Sequence, residues 1–175
     1  MKNLIILTGA PGSGKSTWAK EYQKTHQNCH IISSDAIRYE VTGRFDDHSR
    51  QPEVWKLFEQ RIHEYANKGD DVTVILDALC DLNSLRIKYV KENPEYNKYT
   101  LVVFPRTFEY VQKYNKMRPE EVWVPDDILK QLYDKYDFAK QEIDKYFDYK
   151  IYELKNIYTK IENSTTKIVK ELTDE

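Results

Sequence analysis

The segment GAPGSGKS, residues 9–16, decides the fold of this chain. It matches the pattern G-x-x-x-x-G-K-[ST] in full, and it stands between an apolar run at 4–8 and a helix-forming run that begins STWAKEYQK. Glycines allow the backbone to turn its N–H groups towards an anion, and the start of the following helix adds positive dipole. The segment therefore predicts a phosphate-binding loop between a strand and a helix.

The residue types of this loop indicate its ligand. Lys15 would reach the β- and γ-phosphates of a nucleoside triphosphate, and the Ser16 hydroxyl would bind Mg²⁺. The loop residues expected to hold the nucleotide are Gly12, Ser13, Gly14, Lys15, Ser16 and Thr17. We therefore expect ATP or GTP together with Mg²⁺.

The composition is that of an ordinary globular domain. The chain has 175 residues, 40% hydrophobic and 32% charged, which suits one domain with a substantial core. Its formal net charge of −2 argues against a protein that coats long nucleic acid, although a local basic pocket could hold one chain end. The apolar run at 4–8 is too short for a signal peptide or a membrane span, so we expect a cytoplasmic protein. The cysteines and histidines show no metal-ligand spacing.

Short apolar runs, rich in valine and isoleucine, indicate buried strands of a parallel sheet. They are residues 4–8, 28–33, 72–76, 100–104 and 149–154. Helical patterns lie between and after them, at 54–65, 83–93, 125–147 and 156–175. This alternation predicts an α/β fold of the P-loop NTPase type, a three-layer sandwich with a five-stranded parallel sheet flanked by helices.

The third predicted strand ends in Asp77, where a carboxylate would assist the metal. Hydrolytic ATPases usually follow this aspartate with a glutamate that activates water, whereas Ala78 follows here. Transfer to an acceptor other than water is therefore the favoured chemistry. The alternative is that Asp77 is only a helix cap or a turn residue.

The end of the second predicted strand carries Asp35 and Arg38, three residues apart and so on one face of a helix. We expect this strand to lie beside the first, so that its end faces the γ-phosphate and Asp35 could accept the proton of an attacking hydroxyl. Arg38 could hold a phosphate of the acceptor through two N–H bonds. The alternative is that Asp35 caps the helix and that Arg38 is a solvated side chain.

A second candidate arginine, Arg118, lies in YNKMRPEEVWVPDDIL, residues 114–129, between the fourth strand and a long predicted helix. P-loop kinases carry a mobile lid at this position. Arg118 could close over ATP and stabilise charge during transfer. An exposed loop arginine without a role is the alternative.

Four segments together resemble the 5′-kinase domain of phage polynucleotide kinase, in the same order, over about residues 1–145. They are GAPGSGKSTWAK, ISSDAIRYE, VILDALCDLNSLR and NKMRPEEVWVPDDILKQLY. We expect a single P-loop kinase domain over residues 1–175, with a small lid at about 106–125; the resemblance implies kinase activity. It also implies transfer of the γ-phosphate of ATP to the 5′-hydroxyl end of DNA or RNA.

The resemblance further implies roles for particular residues. Asp35 would be the general base, and Arg38 would bind the phosphate on the 3′ side of the acceptor nucleotide. Asp77 would support the acceptor pocket. Lys15 and Arg118 would be catalytic on the donor side, with Arg118 on the donor phosphates.

Three departures from the family matter. Tyr114 stands before the lid asparagine where the family often has an arginine, and Ala78-Leu79 follow Asp77 where it often has Thr-Asn. The D-x-D-G-T signature of the family's phosphatase domain is absent from the sequence, so we expect no phosphate removal. The change at 78–79 leaves a nucleoside, nucleotide or modified base as an alternative acceptor. A nucleotide-dependent switch or ATPase is a further alternative.

Overall fold

A computed structural model describes residues 1–136, 141–155 and 173–174. Its five parallel strands are β1 (Lys2–Thr8), β2 (Cys29–Ser33), β3 (Val72–Asp77), β4 (Lys98–Val103) and β5 (Tyr149–Glu153). A short strand β6, Thr173–Asp174, pairs antiparallel with β5 and extends the sheet beyond the prediction. The order across the sheet is β2-β3-β1-β4-β5-β6. The predicted α/β fold with five parallel strands is confirmed.

The structure contains six α-helices within the described residues, and some of them begin or end at residues suited to those positions. They are α1 (Lys15–Thr25), α2 (Ser34–Thr42), α3 (Gln51–Tyr65), α4 (Asn83–Lys91), α5 (Phe108–Asn115) and α6 (Asp126–Lys135). Ser33 caps α2 by accepting a hydrogen bond from the Ala36 N–H, and α2 ends at Gly43, whose φ of 79° is left-handed. Acidic residues occupy the first turn of α6, where they interact favourably with the helix dipole. Short 3₁₀ helices cover Glu120–Val122 and Gln141–Tyr146.

Side chains that alternate along the strands build two separate apolar layers. Ile5 and Leu7 of β1 pack in the layer that includes Ala19 of α1. Leu4 and Ile6 of β1 face the opposite layer, which contains buried side chains from α2 and α3. The sheet is therefore covered on both faces, as a three-layer sandwich requires.

The expectation that the second strand lies beside the first is wrong. β3 lies between them, and β2 is the edge strand, paired with β3 alone. A crossover helix can carry the chain past a neighbouring strand, so the order of strands in the sequence does not set their order in the sheet. β3, the more continuously buried strand, lies inside the sheet between β2 and β1, whereas β2 has partly exposed positions that tolerate an edge.

The long helix predicted at 125–147 is also wrong in its extent, because α6 ends at Lys135. Tyr136 is extended and buried, and its ring lies 5.4 Å from the Arg86 guanidinium, so tertiary packing overrides the helical periodicity there. The helix predicted at 156–175 lies outside the described residues, except for the two residues of β6. No helix within the described residues is long and apolar enough to cross a membrane.

Candidate active site

The carboxyl ends of β1, β2 and β3 open into a cleft with a volume of about 1150 Å³. This is the edge at which open parallel sheets bind ligands. All the site residues predicted from the sequence line this one cleft: Gly12, Ser13, Gly14, Lys15, Ser16, Thr17, Asp35, Arg38, Asp77 and Arg118. The volume exceeds that of an ordinary small-ligand pocket, so two ligands can lie side by side.

The phosphate loop depends on close contact with α5. Gly12 has a φ of 83°, and a Cβ atom placed there would lie 2.7 Å from the carbonyl oxygen of Val111 and 2.9 Å from the backbone nitrogen of Asn115. Gly14 also has a left-handed φ, 104°, where it starts α1. Only glycine satisfies both the backbone angle and the space at position 12.

Lys15 is folded back over its own loop. Its ammonium donates hydrogen bonds to the carbonyl oxygens of Gly9 at 2.7 Å and Ala10 at 3.1 Å. Burial lowers the pKa of Lys15 to about 8, and the charge of Arg118 acts in the same direction, whereas Asp77 and Asp35 raise it. A poorly solvated cation beside a loop of this shape is suited to an anionic phosphate.

Ser16 and Asp77 form the oxygen-rich part of the cleft. The Ser16 hydroxyl donates a 2.6 Å hydrogen bond to Asp77 Oδ2. Burial raises the pKa of Asp77, while Lys15 and the Ser16 hydrogen bond oppose that rise. No group of three or more histidine, cysteine or acidic side chains that could hold a metal occurs in the described part of the chain. A hydroxyl and one carboxylate fit Mg²⁺, which is usually completed by phosphate oxygens and water.

Asp35 and Arg38 form an ion pair at the start of α2. Arg38 Nη1 lies 2.7 Å from Asp35 Oδ1, and the two side chains are 8% and 48% exposed respectively. Arg38 Nε also donates to Gln51 Oε1 at 3.2 Å, and Nη1 is 3.5 Å from the carbonyl oxygen of Phe45. Arg38 is therefore not a solvated side chain, and Ser33, not Asp35, caps the helix.

Asp35 reaches the cleft by a route other than the one expected. β2 and β3 are in register with Ser33 opposite Asp77, so the two strands end at the same level. Because α2 starts directly after Ser33, Asp35 lies in its first turn and lines the cleft. Asp35 thus lines the cleft although β2 lies beside β3 and not beside β1 as expected.

The segment 116–125, within the predicted lid, is a loop fastened at its ends. Buried Asn115 donates to the Val124 carbonyl at 2.7 Å and accepts from the Val124 N–H at 3.1 Å. Inside this loop the Arg118 guanidinium donates to the Val122 carbonyl, and the Trp123 indole donates to the Arg118 carbonyl at 2.6 Å. Arg118 is near enough to lower the pKa of both Lys15 and Asp77.

The sequence did not reveal a buried network below the cleft. Arg86, fully buried on α4, donates to Thr8 Oγ1 at 2.7 and 3.1 Å and to the Cys80 carbonyl at 3.1 Å. Thr8 itself donates to the same carbonyl at 2.7 Å, and Cys80 has a left-handed φ of 43°. The network joins the residue before the phosphate loop to the turn after Asp77. Its only sequence signal is an arginine within an apolar helical pattern.

A second buried arginine was also missed. Arg106 donates to the carbonyl oxygens of Ser13 at 3.2 Å, Glu153 at 2.5 Å and Lys155 at 2.9 Å, and its guanidinium lies 5.1 Å from the centre of the Tyr110 ring. These contacts connect the phosphate loop to the end of β5. No local pattern marks this residue, because its partners are distant in sequence.

The phosphate loop, the parallel sheet and the shared cleft define a nucleotide-binding protein with the fold of the P-loop kinases. Residues 2–145 match the family described as chromatin associated protein KTI12, and the chain belongs to that family.

Relatives and solved structures agree with this fold. The chain is 27% identical, over 138 residues, to an adenylate kinase of Lachnoclostridium phytofermentans, covering 71% of this chain and 54% of that protein. It is 27% identical to a chain of the Pnkp1/Rnl/Hen1 RNA repair complex, with a TM-score of 0.68 and coverage of 81% and 46%. Kti12 of Chaetomium thermophilum in complex with ADP-AlF3 is 17% identical, with a TM-score of 0.63 and coverage of 94% and 100%.

These likenesses confirm that the chain resembles a polynucleotide kinase in its fold. The chain spans about half the length of the adenylate kinase and of the RNA repair chain. The roles of the individual site residues stay predictions.

Proposed function

We propose that this chain is an ATP-dependent polynucleotide 5′-hydroxyl kinase, which transfers the γ-phosphate of ATP to the 5′-hydroxyl end of DNA or RNA. The observation that carries the proposal is the position of the Asp35–Arg38 pair. It lines the same cleft as Lys15 and the Ser16–Asp77 pair, so an acceptor can meet the donor phosphates there. The likeness to an RNA repair complex supports a nucleic-acid acceptor.

On the donor side, the phosphate loop would bind ATP through its backbone N–H groups and Lys15. Ser16 and Asp77 would hold Mg²⁺, which neutralises phosphate charge when bound. Arg118, already near Lys15, would add positive charge beside the transferred group. Most of the acceleration would come from positioning and charge stabilisation.

On the acceptor side, Asp35 has one carboxylate oxygen, Oδ1, bonded to Arg38. Within the described residues, Asp35 Oδ2 and Arg38 Nη2 make no hydrogen bond, so both are available to an acceptor. The 5′-oxygen would bond to the γ-phosphorus as the bond to the β–γ bridging oxygen breaks, and its proton would pass to Asp35. The products would be ADP and a 5′-phosphate end, with the neighbouring phosphate held by Arg38.

The test is incubation with γ-labelled ATP and Mg²⁺ and with separate acceptors. These are a 5′-hydroxyl oligonucleotide, a nucleoside 3′-monophosphate, free nucleosides and nucleoside 5′-monophosphates. Asp35→Asn removes the base, while Asp71→Asn is a matched control at a side chain that is 97% exposed outside the cleft. Label on the oligonucleotide that is lost only in Asp35→Asn supports the proposal.

A kinase of a small acceptor is the second candidate. Ala78 and Leu79 line the cleft beside Asp77, and the apolar side chains of Met117, Trp123 and Ile128 line another part of it. Such a lining suits a compact, partly apolar acceptor. Label found only on a nucleoside or a nucleoside monophosphate would establish this second function. Release of phosphate without any acceptor would contradict both and indicate an ATPase.

A further inference from the structure

We infer that the cleft contains a second subsite for acceptor phosphate, and we call it the α1 shelf. It consists of Thr17, Lys20 and Gln23 on α1 with Ile31 and Ser33 on β2, all of which line the cleft. The shelf would hold the second phosphate of the acceptor strand, counted from the 5′-hydroxyl end. This inference rests on the proposed function, since it concerns a nucleic-acid acceptor.

The spacing of these residues makes one continuous surface. Thr17, Lys20 and Gln23 recur every three residues, so they lie on neighbouring turns of one helix face. Ile31 and Ser33 alternate along β2 and so point to one side of the sheet. Gln23 donates a 2.9 Å hydrogen bond to the Cys29 carbonyl, which fastens the helix to the edge strand. The shelf is therefore a supported surface that starts at Ser33, two residues before Asp35.

The charge of the shelf suits a phosphate. In the part of the chain that the structure describes, exposed Lys20 forms no ion pair or hydrogen bond. The other cleft cations are engaged: Lys15 with two carbonyls, Arg38 with Asp35, and Arg118 with a carbonyl. None of the shelf residues is acidic, so the Lys20 ammonium is the group there that an anion would meet.

An acceptor strand could also leave Asp35 in the opposite direction, along the loop between α2 and α3. That path is less favourable for a phosphate. Arg44 pairs with Asp46 at 2.8 Å, and Arg50 pairs with Glu53, so these cations are already neutralised. Glu121 acts electrostatically on Arg44 and lines a smaller cavity of about 230 Å³ with it. A strand leaving on this side would meet carboxylates, whereas a strand leaving over the shelf would meet Lys20.

The experiment pairs a change in the enzyme with a change in the substrate. One acceptor is a short 5′-hydroxyl oligonucleotide, and the other carries a neutral methylphosphonate at its second linkage. Each is assayed with the native chain, Lys20→Gln and Lys24→Gln. Lys24 is the matched control, because it lies one turn further along α1, pairs with Glu21 at 3.7 Å and is not among the residues that line the cleft.

For the native chain, neutralising the second phosphate should lower kcat/KM about fivefold, as expected for one exposed ion pair. Lys20→Gln should give the same kcat/KM with the two acceptors. In this variant, the slope of the logarithm of the binding constant against the logarithm of salt concentration should be smaller in magnitude by about 0.7, the value for one phosphate of a single strand. Lys24→Gln should discriminate as the native chain does. The inference is overturned if Lys20→Gln still discriminates between the acceptors as strongly as the native chain.

Equilibrium binding of the same two oligonucleotides, measured in the presence of ADP, distinguishes failure of the kinase proposal from failure of the shelf. Binding that depends on Lys20 and on the second phosphate, without any transfer, would reject the kinase and keep the shelf. Transfer with no dependence on Lys20 would keep the kinase and reject the shelf. If neither binding nor transfer is detected, both the kinase and the shelf are rejected.

Discussion

Ser16 Oγ lies 2.6 Å from Asp77 Oδ2, and this hydrogen bond joins the first turn of α1 to the end of β3. The contact brings a hydroxyl and a carboxylate oxygen together next to Lys15, whose ammonium acts on the Asp77 carboxylate. This position suits a role on the donor side of the cleft. The polynucleotide-kinase resemblance implies instead that Asp77 supports the acceptor pocket, and the two roles predict different kinetics.

Asp77→Asn should raise the Mg²⁺ concentration needed for half-maximal activity about tenfold or more, the usual cost of changing a group that supports a metal. The amide still accepts the Ser16 hydrogen bond, so the fold should be retained. The measurement is a Mg²⁺ titration at saturating ATP and acceptor, with Asp81→Asn from the same loop as control. A higher acceptor KM with an unchanged Mg²⁺ requirement would assign Asp77 to the acceptor side.

Asp35→Asn should reduce transfer about 10²- to 10⁴-fold, the contribution of a general base. ATP binding should change little, because the Asp35 carboxylate bonds to Arg38 and not to the phosphate loop. Transfer is measured with labelled ATP, and binding by calorimetry with a non-hydrolysable analogue. Full activity in this variant would show that another group accepts the proton.

Arg38→Ala should raise the acceptor KM roughly ten- to hundredfold, as expected when a charged hydrogen bond is lost. The KM for ATP should rise much less, since the side chains that hold Arg38, namely those of Asp35 and Gln51, lie outside the phosphate loop. Steady-state kinetics with each substrate varied in turn will measure both. Arg61→Ala, which removes an arginine paired with Glu40 outside the cleft, is the control. Equal effects on the two KM values would contradict the assignment.

Thr8→Val should lower the free energy of unfolding by about 1–3 kcal/mol, because it removes the hydroxyl that bonds Arg86 and the Cys80 carbonyl in the interior. Thr8→Ser keeps the hydroxyl and should restore most of that loss. Urea denaturation of the three proteins measures the difference. If Thr8→Val is as stable as the native chain while Thr8→Ser is destabilised, the methyl group of Thr8 and not its hydroxyl stabilises this region.

Gly12→Ala should weaken nucleotide binding and stability more than Gly43→Ala does. Both glycines have a left-handed φ, 83° and 79°, so an alanine costs about 1 kcal/mol at either position through the backbone alone. Only Gly12 has backbone atoms within 3 Å of the added Cβ, whereas Gly43 has nothing within 4 Å. Denaturation and ATP titration of the pair isolate the steric part. Equal losses of stability and binding in the two variants would mean that α5 shifts to make room for the methyl group at position 12.

Features that depend on local sequence pattern could be predicted from the sequence. Lys15 and Ser16 follow from eight consecutive residues, and the strands follow from apolar runs, so both lie where expected. The position of β2 at the sheet edge could not be predicted, because the path of a crossover is not encoded in the strand itself. Arg86 and Thr8 are separated by 78 residues, and their hydrogen bond exists only after the fold has formed.

The residues proposed to bind the acceptor could not be predicted from local sequence pattern alone. Asp35 and Arg38 at a helix start have an ordinary structural interpretation, and only the phosphate loop and the family resemblance favoured a functional one. Gln51, which holds Arg38, has no sequence signal because it comes from another helix. The end of α6 at Lys135 was missed for the same reason, since packing around Tyr136 is a tertiary effect.

The edge position of β2 separates the residues that follow it from those that follow the inner strands β1 and β3. Asp35, Arg38 and Gln51 all lie within residues 35–51, on two helices that follow the strand farthest from β5. The phosphate loop and Asp77 belong to β1 and β3, in the interior of the sheet. Under the proposed function, exchanging residues 35–51 would alter the choice of acceptor, while the phosphate loop and Asp77 would keep their sequence.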